Sequence, residues 1–261
     1  MGADYSAGLR KIYLQLAELF VQPAVVKQSK RYNILGASPL HYRAESDICE
    51  IESLLREAFG YELLHCLAMN TTTEAIAELG SAELNIILAA EALPCAEYLQ
   101  SVTGTPFVYL PPYGYSQTTE FLNSVAAVIG QPVKEAMLQR LEEKNRRLKM
   151  LLNSPLLSRT PGTVFLKGDY DTVKGLGDFF KELRFNIAHS VCAHKITGAA
   201  AEAGIEYFKE EKDYLQLLPA IRHCLILADE DTVAQADMTN FKVCVSHPCY
   251  SHRTLAKHLP F

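Results

Sequence analysis

Residues 84–89 read Leu84-Asn85-Ile86-Ile87-Leu88-Ala89, and this apolar run is soon followed by the charged position Glu91. A run that is apolar on both faces is typical of a central strand in a parallel sheet, because helices cover both faces of such a sheet. On each side of the run the chain repeats one order: a short apolar strand, a polar loop, an amphipathic helix and a further strand. A parallel crossover needs a helix-length connection, so this order predicts an α/β fold built on parallel sheets.

The same order occurs twice along the chain. Its first occurrence runs from residue 32 to about residue 131, and its second from residue 163 to about residue 247. Residues 132–154 between them predict one long charged helix. We therefore expect a first subdomain with an N-terminal helix over 1–131, a connecting helix and linker over 132–158, and a second subdomain over 159–261. Two facing sheets would leave a cleft beyond the carboxyl ends of their strands, where open α/β sheets bind ligands.

Local signals predict where several helices begin and end. Ser46 or Asp47 is expected to cap the helix after the first strand, and Gly60 is expected to end that helix in a left-handed conformation. Thr72 is expected to cap the helix after the second strand. In the second unit, residues 198–221 predict one long helix.

Composition excludes several classes of function. The 261 residues carry a formal net charge of -5, which disfavours broad binding to nucleic acid or to an anionic membrane, because both depend on clustered Lys and Arg. The sequence has no apolar run of about 18 residues and no secretory signal pattern, so we expect a cytoplasmic protein. The seven cysteines are odd in number and lack framework spacing, which predicts reduced thiols.

Eight short sequence words carry a resemblance to a known family. They occur in this order: Tyr32-Asn33-Ile34-Leu35-Gly36, Asn70-Thr71-Thr72-Thr73-Glu74, Glu83-Leu84-Asn85-Ile86-Ile87-Leu88, Gly104-Thr105-Pro106, Leu110-Pro111-Pro112-Tyr113-Gly114, Thr118-Thr119-Glu120-Phe121-Leu122, Gly130-Gln131-Pro132 and Lys167-Gly168-Asp169-Tyr170-Asp171. In this order they resemble the nitrogenase component 1-type oxidoreductase family. That family includes the nitrogenase molybdenum-iron protein chains, their assembly-scaffold relatives and the dark-operative protochlorophyllide reductase subunits. Residues 168–175 look most similar to the beta-type branch.

The resemblance implies a fold, a cofactor and partners. Members have three Rossmann-like subdomains, and this chain resembles the second and third, so it implies an α/β fold with two Rossmann-like parallel-sheet subdomains joined by a long helix. The family's first subdomain supplies most cysteines for a subunit-bridging iron-sulfur cluster. We therefore expect a fragment or a natural truncation, with an iron-sulfur cluster in the full-length parent and no cofactor assigned to this chain. The implied partners are a homologous component 1 subunit and an ATP-dependent iron-sulfur reductase.

The resemblance also implies where a catalytic cluster would be held. In alpha-type members the ligands are a cysteine just after the strand that matches residues 84–88 and a histidine near the last strand. Ala89 and Ala90 stand at the cysteine position, and His247 is the candidate for the histidine, which beta-type chains lack. The departure at Ala89 argues against a nitrogenase-type catalytic cofactor.

Two Cys/His pairs follow predicted strands of the second unit. They are Cys192 with His194 and His247 with Cys249. Thiolate and imidazole together suit zinc or an iron-sulfur cluster. The spacing within each pair is not a recognised metal signature, so a polar loop with a partly exposed thiol is the favoured interpretation and metal binding is the alternative.

Polar residues after the strands of the first unit are the candidate cofactor-binding groups. Ser38, His41 and Tyr42 follow the first strand, where an α/β unit exposes its binding groups. Asn70 begins a polar stretch that could donate hydrogen bonds at a helix start, although helix capping is the favoured interpretation. Tyr113, in the word over residues 110–114, belongs to the same predicted set.

Carboxylates after two strands are further candidates. Glu91 could be partly buried, with a raised pKa that suits a general acid, although a solvated first-turn glutamate is favoured. Asp169 and Asp171 could bind a hard cation or the amides of a partner, and capping of the next helix is expected to explain at least one of them.

Three functions are compatible with these observations. The leading hypothesis is part of a component 1-type oxidoreductase subunit that accepts electrons from an ATP-dependent iron-sulfur reductase and is inactive alone. The alternative is a non-enzymatic scaffold that binds a cofactor or metal chelate between two lobes. A sugar-nucleotide transferase would need a basic or glycine-rich diphosphate site, and the sequence offers none.

Overall fold

The computed structural model describes residues 5–22, 26–39, 41–152, 162–192, 204–207 and 211–246. The first half contains these elements: α1 (Tyr5–Phe20), β1 (Arg31–Leu35), α2 (Ala44–Phe59), β2 (Glu62–Cys66), α3 (Thr73–Ala77), β3 (Leu84–Ile87), α4 (Leu93–Thr103), β4 (Phe107–Tyr109) and α5 (Gly114–Ile129). The second half contains these: α6 (Glu135–Leu152), β5 (Thr163–Gly168), α7 (Tyr170–Glu182), β6 (Asn186–Cys192), β7 (Glu206–Tyr207), α8 (Glu211–Leu215), β8 (Leu225–Ala228), α9 (Glu230–Gln235) and β9 (Phe241–Cys244). Short 3-10 turns cover Glu78–Ser81, Ala90–Ala92 and Leu218–Ala220.

The first sheet has the strand order β2-β1-β3-β4, and its strand pairs are parallel. The chain crosses from β1 to β2 on one side and returns to β3 on the other, so a topological switch point lies between β1 and β3. Successive side chains of a strand point to opposite faces of the sheet. Ile34 accordingly packs in one core with α2 and α5, and Leu35 packs in the other core with α1 and α4.

The second sheet has the order β7-β6-β5-β8-β9 and is also parallel, with its own switch point between β5 and β8. In sequence, the charged helix α6 follows the last element of the first sheet region and precedes the first strand of the second sheet. These observations confirm the predicted α/β fold with two parallel sheets, while the exact subdomain boundaries stay a prediction. No helix in the described part of the chain combines the length and the apolar character that a membrane crossing requires.

A buried polar cluster fills the second switch point. Lys167, near the end of β5, donates hydrogen bonds to Asp229 (2.5 Å), to the Tyr214 hydroxyl (2.6 Å) and to the Thr232 hydroxyl (3.1 Å). All three ammonium protons can therefore be satisfied, which is the condition for keeping such a charge in the interior. Asp229 is 1% exposed and also accepts a hydrogen bond from the backbone amide of Thr232, so it caps α9. These side chains occupy the place where an open sheet would otherwise bind a ligand.

The predicted helix ends are partly correct. Thr72 caps α3, since its hydroxyl accepts a hydrogen bond from the amide of Ala75 (3.2 Å), and Gly60 ends α2 with φ of 78°. The prediction that Ser46 or Asp47 caps α2 is wrong. The N-cap position is three or four residues earlier, at Arg43, which has a left-handed conformation and makes no side-chain capping bond, and the helix begins at Ala44.

The prediction of one long helix over residues 198–221 is wrong in its described part. Gly204 has φ of 104°, which no right-handed helix contains. The next residues form β7, which pairs with the end of β6, and Pro219 lies in a 3-10 turn after the short helix α8. Residues 198–203 and 208–210 lie outside the described residues.

Candidate functional site

A cleft of about 90 Å³ lies at the switch point of the first sheet. Its walls come from the loop after β1, the 3-10 turn after β3, the loop after β4, the first turns of α2 and the start of α7. Four of these five segments belong to the part of the chain that forms the first sheet, here called the first lobe. The fifth, α7, belongs to the part that forms the second sheet, here called the second lobe. The two lobes therefore meet over the edge at which an open α/β sheet binds ligands.

Gly36 allows the floor of the cleft to form. It directly follows β1 with φ of 86°, a conformation that glycine adopts without strain. A Cβ atom at this position would lie 2.8 Å from the backbone nitrogen of Ala89. The chain segments after β1 and β3 are consequently in close contact, and Ala89 is buried there.

Glu91 is buried beside the cleft. Its side chain is 8% exposed and accepts a hydrogen bond from the hydroxyl of Ser6 on α1 (2.8 Å). The favoured interpretation of a solvated first-turn glutamate is therefore wrong, because α1 covers the turn after β3. The same contact brings the start of α1 to the wall of the site.

Asp171 joins the two lobes. Although it lies on α7, its carboxylate accepts hydrogen bonds from the Ala90 amide (2.8 Å) and the Tyr109 hydroxyl (2.6 Å) of the first lobe. Asp169 holds the N-cap position of α7 but makes no side-chain capping bond. The expectation that capping explains one of these two aspartates is thus wrong, and Asp171 binds a backbone amide across the interface instead.

Burial raises the pKa of Asp171 to about 7. The hydrogen bonds from Tyr109 and Ala90 lower it in part, while the charges of Glu91 and Asp169 raise it further. Burial, with the Asp171 charge next, also raises the pKa of the Tyr109 hydroxyl, which therefore stays a hydrogen-bond donor. A carboxyl group with a pKa near neutrality can exchange a proton with a ligand in the cleft at physiological pH.

Tyr113 closes the side of the cleft. A Cβ atom on Gly175 of α7 would lie 2.1 Å from its ring, so the ring packs directly on the helix backbone. The next residue, Gly114, has φ of 71° and meets Phe179 of the same helix in the same way. Two glycines thus allow the loop after β4 and helix α7 to approach closely.

The structure brings most of the predicted cofactor-binding residues together. His41, Tyr42, Glu91 and Tyr113 line the cleft. Ser38 is buried behind it, and its carbonyl accepts the His41 amide in a tight turn (2.9 Å). Asn70 lies outside the lining residues, in the turn between β2 and α3, with φ of 54°. Whether any of them binds a cofactor stays a prediction.

Other residues of the site escaped sequence reasoning. Asp47 and Glu50 of α2 line the cleft, together with Thr172 of α7. With Glu91, Asp169 and Asp171 they bring the carboxylates of the lining to five, and His41 is the only potential cation among the described residues that line it. Both α2 residues follow the loop after β1, so the position of that loop at the sheet edge was the available signal for them.

The described residues do not fit an iron-sulfur cluster. The cleft lining contains no cysteine among them, and no group of three or more His, Cys, Asp or Glu side chains in the described ranges could hold a metal ion. Burial raises the pKa of the Cys66 and Cys95 thiols to about 12, whereas a cluster ligand must be a thiolate. We derive no chemical step through a cluster.

The predicted metal-binding pairs lie mostly outside the described residues. Cys192 is described: it ends β6 and packs against Ala90 of the first lobe and Tyr170. His194, His247 and Cys249 are not described. The strands that precede the two pairs, β6 and β9, are separated in the sheet by β5 and β8, so these two strands lie about 14 Å apart.

Comparisons with known proteins identify relatives that belong to one family. The family model described as nitrogenase component 1 type oxidoreductase matches residues 1–232. The chain is 30% identical over 200 residues to a light-independent protochlorophyllide reductase subunit of Methylobacterium radiotolerans, covering 73% of this chain and 36% of the relative. It is 35% identical over 118 residues to the corresponding reductase subunit of Rhodopseudomonas palustris, covering 44% of this chain and 22% of the relative.

A solved structure shares the fold. A chain of the structure titled "Nitrogenase Cp1 at pH 6.5" superposes with a TM-score of 0.68 at 17% identity, covering 96% of this chain and 60% of that one. The chain spans less than half the length of the curated relatives that it matches. The family match, which includes the cleft residues of both lobes, shows that the chain belongs to the nitrogenase component 1 type oxidoreductase family.

Proposed function

We propose that this chain is a two-lobed, substrate-holding part of a component 1 type oxidoreductase. The observation that carries the proposal is the cleft at the first switch point, which the second lobe closes with the buried carboxyl group of Asp171. Ligands of open α/β sheets bind at this place. The relatives named as protochlorophyllide reductase subunits support a redox function for the complex.

In this proposal the chain works with other proteins. A homologous component 1 subunit completes the enzyme, and an ATP-dependent iron-sulfur reductase supplies the electrons. Because the described residues offer no donor set for a cluster, any iron-sulfur cluster would be held outside them. The chain alone would then be inactive.

An anaerobic reconstitution tests this proposal. The chain is co-purified with a component 1 subunit and mixed with the iron-sulfur reductase of the same organism, with and without ATP. We expect an electron paramagnetic resonance signal from a reduced cluster that requires ATP, the reductase and this chain. The proposal would be rejected if the chain assembles into the complex but the cluster signal is the same in a matched sample that lacks the chain.

A scaffold function is the second candidate, and the enclosure of the cleft by polar side chains from both lobes favours it. Titration of the chain with tetrapyrroles or with iron-sulfur precursors separates the two candidates. A scaffold should give saturable changes in visible absorption and a higher melting temperature, without reductase or ATP. An oxidoreductase subunit should give turnover only in the full complex.

A further inference from the structure

A second, larger cavity lies on the other side of Tyr113. This groove of about 640 Å³ runs between α5 of the first lobe and α7 of the second. Glu120, Lys174 and Asp178 are among its lining residues, so it carries both signs of charge. Pro111, Tyr113 and Asp171 line the groove and the cleft alike. These three residues, here called the partition, therefore separate two neighbouring cavities.

The two cavities differ in what they can hold. Pockets for small organic ligands measure about 300–1,000 Å³. The cleft, at about 90 Å³, is too small for such a ligand, whereas the groove, at about 640 Å³, lies within the range. The groove reaches the end of β4 through Tyr109, but the lining residues that follow β1 and β3 belong to the cleft. A ligand of ordinary size can therefore reach the switch point between β1 and β3 only if it occupies both cavities.

The members of the partition are held with different strength. The carboxylate of Asp171 is fixed by two short hydrogen bonds, from Tyr109 (2.6 Å) and from Ala90 (2.8 Å). The only hydrogen bond found for the Tyr113 hydroxyl within the described residues is a long one to Thr172 (3.4 Å), and bonds of that length are weak. The Tyr113 ring lies on the bare backbone of Gly175. Packing against Gly175 and the core of the second lobe, rather than short hydrogen bonds, thus holds Tyr113, and it is the member of the partition whose ring can turn without breaking a short hydrogen bond.

We propose that Tyr113 selects the ligand of the cleft by size and shape: when its ring turns away from Gly175, the cleft and the groove become one channel. The channel would take a flat, neutral or cationic ligand. Its apolar body would lie along Pro111 and the backbone of Gly175, and its hydrogen-bond donors would face the carboxyl group of Asp171. Five carboxylates in the cleft disfavour an anionic group there. This inference rests on the proposed function in one respect, namely that the ligand of the cleft is the substrate.

The absence of tryptophan from the sequence allows a test with one fluorophore at a time. His41→Trp places a reporter in the cleft, and Glu120→Trp places one in the groove. The probe is 9-nitroanthracene, a flat neutral compound that quenches indole fluorescence on contact. Each reporter chain is titrated with the probe, with Tyr113 intact and with Tyr113→Ala. Tyr98→Ala, which removes a half-buried tyrosine of α4 away from both cavities, is the matched control.

Tyr113→Ala should lower the probe concentration that half-quenches the His41→Trp reporter by about tenfold, as expected if the ring closes the passage nine-tenths of the time. It should change quenching of the Glu120→Trp reporter much less, and Tyr98→Ala should change neither. Equal quenching at residue 41 with and without the ring, or none in either chain, would overturn the proposal. If circular dichroism shows that Tyr113→Ala does not fold, Tyr113→Leu replaces it with the same expected direction. The test needs no reductase or cluster, so a failed reconstitution with a positive quenching result would reject the proposed function alone.

Discussion

Asp171 carries its carboxyl group from the second lobe into the first and holds it almost entirely out of water. The hydrogen bonds from Tyr109 and Ala90 favour its charged form, but they do not cancel the effect of burial. The pKa is therefore about 7 in the folded chain, compared with an ordinary value of 3.8. Between these two pH values the folded chain binds more protons than the unfolded chain.

The contribution of Asp171 to stability should consequently fall as the pH rises from about 4 to about 7, by at most about 1.4 kcal/mol per pH unit. Asp171→Asn cannot ionise and should lack this slope. Urea unfolding of the variant and the original chain across this range measures the difference. Asp178→Asn, on an exposed part of the same helix, is the control and should run parallel to the original chain. A pH-independent difference for Asp171→Asn would contradict the assignment.

Gly175 should tolerate no side chain. A Cβ atom there would lie 2.1 Å from the Tyr113 ring, so Gly175→Ala must displace the ring and should destabilise the chain by about 1–3 kcal/mol. Gly177→Ala on the same helix is the control, because its Cβ atom would make an ordinary contact with Leu166 at 3.5 Å. Thermal unfolding compares the two variants. Equal melting temperatures would show that the ring yields freely.

Helix α3 depends on one side chain at its start. Thr72 accepts a hydrogen bond from the Ala75 amide, which otherwise has no partner within the helix. Thr72→Ala should cost about 1 kcal/mol. Thr73→Ala, one residue later, removes a hydroxyl that donates to the neighbouring Glu74 side chain rather than capping the helix and should be close to neutral. Urea unfolding measures both, and equal losses would contradict a capping role.

At the level of elements, the sequence predicts the central strand β3 and the long charged helix α6 but misses the short strand β7. The apolar run over residues 84–89 contains β3, because burial on both faces leaves a clear pattern. Residues 198–221 also show helical periodicity, but Gly204 adopts a left-handed conformation there, and β7 gains backbone partners on β6. Such pairing is a tertiary effect, which a local pattern does not contain.

At the scale of the whole molecule, the site likewise depends on tertiary contacts that a local sequence pattern does not contain. His41 and Glu91 were predictable, since both follow strands of one sheet and parallel strands end at a common edge. The role of Asp171 was not, because it depends on how the second lobe packs on the first. No local signal distinguishes an aspartate that caps its own helix from one that binds an amide 81 positions away.

Because the two lobes have largely separate cores, a destabilising substitution in one lobe should lower the local stability of that lobe more than that of the other. The first sheet packs in two clusters of its own and the second sheet in two others, while one small cluster of Ala90, Tyr170 and Cys192 lies between the lobes. Lys167 lies in the second lobe and neutralises the buried Asp229. Lys27 lies in the first lobe and donates to the carbonyls of Gly80 (2.8 Å) and Ala82 (3.1 Å). These two lysines form a matched pair for a test.

Lys167→Met leaves the Asp229 charge buried without a partner and should cost about 3–5 kcal/mol. Lys27→Met removes charged hydrogen bonds to backbone carbonyls near the surface and should cost about 1.5–3 kcal/mol. Native-state hydrogen exchange resolves where the loss occurs. We expect Lys167→Met to lower protection of the amides in β5 and β8 but not in β1 and β3, and Lys27→Met to do the reverse. Equal loss of protection in both sheets for either variant would contradict this expectation. The lobes would then unfold as one cooperative unit, because the contacts made by Asp171 and Tyr113 would couple the two cores.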